Sequence, residues 1–143
     1  MAVRHYDLDQ VTVTIAGIPI TEWATGDALE ITYREADWVT TQGHHGSVIR
    51  GKNPNSVADV KFVLMQGSPV NGLLSDLSLA DKASGLKAGA FFVKDLNGTT
   101  QASATKSWVE KMADGKLGTE PGSNEWPVTA GDLTMRIGDN RLA

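Results

Sequence analysis

The chain has 143 residues, 41% of them hydrophobic and 21% charged, enough for one domain with one core. Its formal net charge is −4 and no Lys/Arg cluster is present, which argues against binding nucleic acid through its phosphates. Cysteine is absent, which excludes disulfides and thiolate chemistry and fits an intracellular protein, and no run of about 18 apolar residues offers a membrane span or anchor.

Met1–Gln10 carries no charged-then-apolar leader. Val11, Val13 and Ile15 then alternate with Thr12 and Thr14, which predicts a strand. Ala16-Gly17 turns it, and Ile18-Pro19-Ile20 starts a return in which proline argues for an edge position. After the turn at Thr25-Gly26-Asp27, Leu29, Ile31 and Tyr33 alternate with Glu30, Thr32 and Arg34 as a second strand. From Ala36 to Trp38 the alternation shifts phase, as at a bulge or the end of pairing.

Thr40 to Ser56 has almost no apolar content beyond Val48 and Ile49. A polar stretch of this length is unusual as a connection inside a compact domain. It predicts a projecting arm at about residues 40–56, with Val48-Ile49-Arg50 in the middle of an extended hairpin. Such an arm is expected to order on a neighbouring subunit through Gln42, His44, His45, Val48, Ile49, Arg50 and Lys52.

The next stretch changes period halfway. Ala58, Val60, Phe62 and Leu64 fall on one face of a strand, and Asp59 and Lys61 start the other. Val63 and Met65 make that second face apolar too, so cover on both sides is expected. Ser68 before Pro69 predicts an N-cap with proline in the first turn. Val70, Leu73, Leu74 and Leu77 follow at helical spacing, and Gly85 supplies the stop. This is the one good helix in the chain. Phe62, Leu64, Leu73, Leu74 and Leu77 are predicted to form the core where it covers the sheet.

Ala90–Asp95 is another strand, Asn97-Gly98 a strong hairpin signal, and Thr99–Val109 the return. Asp114–Asn124 reads as a polar, Gly-rich loop. Trp126, Val128 and Ala130 alternate, Gly131-Asp132 interrupts, and Leu133, Met135 and Ile137 form a last strand before the polar Asp139-Asn140-Arg141. The expected fold is mainly β: one domain over 1–143, an antiparallel β-barrel or sandwich of about six to eight strands with one flanking helix.

Motifs with chemistry are scarce. Gly46 to Asn53 nearly spells a phosphate-binding loop, but Asn53 stands where a hydroxyl should hold magnesium, and no helix follows. His44 and His45 point opposite ways on an extended chain, too few for a closed metal site. Glu35 and Asp37 have no visible pocket, and Asn97-Gly98-Thr99 reads as turn chemistry before glycosylation. Trp23, Trp38, Trp108 and Trp126 read as core or interface. Neither a catalytic site nor a metal or cofactor site is expected.

Several residues match a known family in order and spacing. Val11-Thr12-Val13 comes with Gly17 and Ile20, then Gly26 with Ile31, then Leu64-Met65-Gln66 with Ser68-Pro69 and Asn71. Val93-Lys94-Asp95-Leu96 follows with Gly98-Thr99-Thr100, then Gly122 with Glu125-Trp126, and finally Ile137-Gly138. Over nearly its whole length the chain resembles the tail tube proteins of contractile-tailed bacteriophages, a structural family long catalogued as a domain of unknown function. It departs at Gly138-Asp139, where the family often ends on a Gly-Gly pair.

The resemblance implies the tail-tube fold, shared with the type VI secretion tube protein. Six copies would form a ring and rings would stack into a tube, with strands joined into one inner barrel through which DNA passes without specific binding. The implied partners are further copies, a surrounding sheath protein, and initiator or baseplate and terminator proteins at the ends. The implied location is the virion tail, assembled in the host cytoplasm. If the strands carrying them line the channel, Glu30, Thr32, Arg34, Asp59 and Lys61 face the lumen. Two alternatives stand beside this: the tube of a type VI-like or other contractile injection system, and a monomeric ligand-binding β-barrel.

Overall fold

In the strand β6 (Ala58–Met65) every second residue, from Ala58 to Leu64, is buried, while Asp59 and Met65 are exposed. The computed structural model containing it describes residues 1–142. The second face expected to be covered is therefore open: Met65 reaches solvent and Val63 is half-buried. β3 (Leu29–Tyr33) pairs with one side of β6 and β9 (Ser123–Ala130) with the other, both antiparallel.

The remaining strands extend this centre. β1 (Val11–Ile15), β2 (Ile18–Pro19), β7 (Gly89–Asp95), β8 (Gln101–Val109) and β10 (Thr134–Arg136) complete an eight-stranded sheet. Its order is β2-β1-β7-β8-β9-β6-β3, with β10 against β8. The sheet rolls so that Phe62 of β6 meets Phe91 of β7 at 6.1 Å between ring centroids, although two strands lie between them. It does not close into a barrel. β2 and β3 end its main path and β10 ends the branch from β8; β2 is short and holds Pro19, which has no N–H to donate to a further strand.

β9 and β10 behave as one broken strand along β8. Pairing stops at Ser107↔Ala130 and resumes at Ser103↔Thr134. In the gap the Asp132 carboxylate accepts from the backbone N–H of Thr105 (3.1 Å) and Lys106 (3.3 Å) and from the Thr105 hydroxyl. It replaces the missing ladder bonds, and the Thr105 hydroxyl is the main reason its carboxyl sits below the usual range.

The helix α1 (Val70–Ser84) starts one residue later than the cap pattern suggests. Ser68 Oγ still accepts from Val70 N–H at 3.3 Å and donates to the Thr21 carbonyl at 3.1 Å. Gly85 stops the helix in the left-handed region, φ 70. Val70 and Leu74 are buried and Leu77 is partly so, a single line along the cylinder. Leu73, expected in the core, is 48% exposed. One residue is about 100° of rotation on a helix, and α1 rests on β8 and β2 along too narrow a strip to cover that flank. Most of the core comes from the two halves of the sheet facing each other, with Phe62, Leu64, Phe91 and Trp126 inside.

The polar segment Asp139-Asn140-Arg141 is tied to the rest of the fold. Arg141 N–H donates to the Asn97 carbonyl (2.7 Å), and His5 N–H donates to the Arg141 carbonyl (2.9 Å). Asn97-Gly98 lies in the turn between β7 and β8 as its signal suggests. Gly98 is needed there because a side chain would collide with the Asp139 carbonyl of the last segment.

Candidate functional site

Two surfaces stand out, and the first is the arm. β4 (Trp38–Gln42) and β5 (Val48–Lys52) form a separate two-stranded sheet in which every residue is exposed. The hairpin therefore runs from Trp38 to Lys52, starting before the predicted arm at about 40–56 and inside the Ala36–Trp38 stretch where a bulge or the end of pairing is expected. Gln42, His44, His45, Val48, Ile49, Arg50 and Lys52 all lie on it. Trp38 opposes Lys52 and Gln42 opposes Val48, so Trp38, Arg50 and Lys52 share one face, and Val39 and Ile49 share the other. The Arg50 guanidinium lies over the Trp38 ring, 3.7 Å from its centroid. At the tip Gly43 N–H donates to the Ser47 carbonyl (2.6 Å), and Gly46 takes a positive φ of 85. The rings of His44 and His45 sit edge to face, 5.0 Å apart.

A small clamp holds the root. Glu35 Oε2 accepts from the side-chain amides of Asn53 (2.7 Å) and Asn55 (2.9 Å). Asn53 N–H donates to the Asp37 carbonyl at 2.7 Å. The two amides, Asn53 first, hold the Glu35 carboxyl below its ordinary value. Sequence reasoning weighed Glu35 only as a catalytic carboxylate. Its partners are a hairpin away, and no local pattern links them.

The second surface is the outer face of β3, β6 and β9. Glu30 lies directly opposite Lys61, and Thr32 opposite Asp59, so these four residues and Arg34 gather on one face. Arg34 forks onto Asp59, at 2.8 Å from Nη2 and 3.0 Å from Nε, and this hydrogen bonding raises its pKa further. Lys61 Nζ sits 3.8 Å from Glu30 and 3.9 Å from Glu125. Thr129 donates to Glu110 at 2.7 Å, and Trp108 Nε1 donates to the same oxygen at 2.8 Å. Glu110, Glu125 and Thr129 were not anticipated, because only the register of β9 against β6 and β8 brings them here.

Among the described residues no group of three or more His, Cys, Asp or Glu side chains is placed to hold a metal ion, and no helix is long and apolar enough to cross a membrane.

No protein-family model and no curated protein matches the chain. Its fold, however, is that of several solved structures. The anti-feeding prophage cap, a tube-terminating cap, aligns with a TM-score of 0.62 at 9% identity, over 95% of this chain and 94% of that one. The sheath/tube terminator of the PVC extracellular contractile injection system aligns at 0.61 and 11% identity, over 96% and 100%. A chain of the PVC sheath-tube complex aligns at 0.56 and 10% identity, over 97% and 93%. At such identities the likeness defines the fold.

Proposed function

We propose that this chain is a structural subunit of a contractile tail or injection machine and builds its inner tube from stacked hexameric rings. The observation that carries the proposal is the end-to-end agreement of fold with chains from tube and tube-terminator assemblies. The arm supports it. A lone two-stranded hairpin is marginal in water, and a neighbouring subunit is where its exposed Val39, Val48 and Ile49 would be covered. Its partners in this proposal are its own copies, a sheath protein and the proteins that start and end the tube. It performs no catalysis, and its place is the tail of the particle.

The outer face of β3, β6 and β9 lines the channel in the same proposal. Four carboxylates (Glu30, Asp59, Glu110 and Glu125) stand there against Arg34 and Lys61, and both cations are engaged by carboxylates. A duplex sliding past meets no free cation and gains nothing from counterion release. Glu30→Lys with Asp59→Lys should leave assembly intact and slow DNA passage, most at low salt. Unchanged passage at low salt would put this face outside the channel.

The second reading is a terminator that ends the tube, favoured by the cap and terminator structures among the neighbours. Negative-stain imaging with sedimentation of the purified protein separates the two. Stacked rings forming filaments support the tube, and single rings that never stack support the terminator. A monomer that persists at high concentration overturns both and leaves a ligand-binding β protein.

A further inference from the structure

The rolled sheet leaves a half-open groove of about 470 Å³ beside its free edge. Leu29 and Ile31 of β3, with Met135 and Ile137 from β10 and just beyond it, supply apolar lining. Asp27 and Asp95 supply carboxylates, and no Lys or Arg lines it. Asp95 is only 6% exposed. Among the described residues neither carboxylate has a cationic partner within ion-pair distance.

The arm carries the opposite character. From Trp38 to Lys52 there is no Asp or Glu. Arg50 and Lys52 have no carboxylate partner among the described residues, and Ile49 and Val39 are 71% and 61% exposed. Asp95 Oδ1 accepts from the Asn97 N–H at 2.9 Å, so what the groove lacks is a cation. One molecule thus holds an apolar groove with negative charge and no cation, and an apolar hairpin with positive charge and no carboxylate. They belong to opposite ends of one strand. The groove takes in the turn before β3 and its first residues, and the arm leaves just after its last.

We infer that the groove receives the arm of a second copy of this chain, with Val48 against the apolar lining and Arg50 or Lys52, on the same face of the hairpin, reaching the carboxylates at Asp27 and Asp95. Val48, Arg50 and Lys52 alternate along β5 on one face. The long stems of Arg and Lys let their charged ends reach the rim while Val48 is buried. A donor and an acceptor on different parts of the surface make a head-to-tail contact, which propagates into a ring or a filament and does not stop at a twofold dimer. This rests on the tube reading in one respect: it names the receptor for the arm contact proposed there.

The absence of cysteine allows a direct test. Val48→Cys and Ile137→Cys are placed together in one chain; both positions are exposed in the lone subunit, at 61% and 77%. Oxidation of the assembled protein should give a ladder of cross-linked multimers, whereas either single variant can give dimers at most. As a second test, Asp27→Lys and Arg50→Glu should each move assembly to roughly tenfold higher concentration, since like charges facing each other across an interface repel, and the double variant should recover it. Assemblies that form without the ladder, or a double variant no better than the worse single one, overturn the groove and leave the tube standing. A cross-linked closed ring that never stacks keeps the groove and removes the tube. A chain that never self-associates removes both.

Discussion

β6 and β5 are both exposed to the same solvent and paired in the same antiparallel way, yet β6 buries every second residue and β5 buries none. In β6 a slip of one residue would carry Phe62 and Leu64 to the outside, so burial itself specifies the register. Along β4 and β5 no such penalty exists. Their pairing is held at particular points: the Glu35 clamp, the Asp37–Asn53 backbone bond, the Arg50–Trp38 contact and the Gly43–Ser47 turn. The sheet carries its own stability, and the arm has its surface free for something else.

The sharpest way to break this contrast is to remove the arm. Asn53 N–H donates to the Asp37 carbonyl at 2.7 Å, so a two-residue Asn-Gly turn can replace Trp38–Lys52 without straining the root. The shortened chain should melt at the temperature of the parent and lose all ring and filament formation in sedimentation. A large drop in melting temperature would show that the arm belongs to the folding unit. Assembly of normal extent would give it some other task.

The contrast is next sharpened inside the helix. Leu74 is fully buried and its neighbour Leu73 is 48% exposed. Leu74→Ala should cost about 2–5 kcal/mol as a large-to-small core change, a sizeable part of a domain's margin. Leu73→Ala should stay within about 0.5 kcal/mol, as surface changes do. Denaturant midpoints at equal slope measure both. Equal costs at the two positions would mean that the sheet covers a broader stripe of α1.

These cases also mark what could be read from the residues alone. Alternation located β1, β3, β6 and β9, and Ser68, Pro69 and Gly85 located the helix, because those signals are local. Helical spacing proposed Leu73 as readily as Leu74; only the width of the seat on β8 and β2 decides between them. Alternation likewise placed Glu30, Thr32, Arg34, Asp59 and Lys61 on polar faces. It could not say that β3 and β6 are neighbours, or that Glu110 and Glu125 join them. Gly98 looked like turn chemistry and is in fact required by the passage of Asp139. The residues that escaped detection act across long stretches of chain, as Asp132 does on Thr105 and Glu35 does on Asn53 and Asn55.

The smallest expected effect lies in the Glu35 clamp, and it follows the charge of one carboxylate. The Asn53 and Asn55 amides favour its ionised form and depress its pKa in the folded chain. Between that depressed value and the ordinary glutamate value the unfolded state binds more protons than the folded one. The contribution of the clamp is therefore complete above the ordinary value and is lost as the pH falls through the depressed one. Asp132 and Asp139 are lowered in the same direction, chiefly by Thr105 and by Thr99, so acid weakens the sheet as well and a global melt cannot isolate the arm. The readout has to be local. In NMR spectra the side-chain amide signals of Asn53 and Asn55 should shift together, with a midpoint below that of an exposed glutamate. In Glu35→Gln the titration should vanish and the melting temperature at neutral pH should fall slightly, because the contribution of the ionised carboxylate is lost. If the two amides titrate separately, or at the ordinary glutamate midpoint, the root is held by the Asp37–Asn53 backbone bond alone and the carboxylate is a bystander.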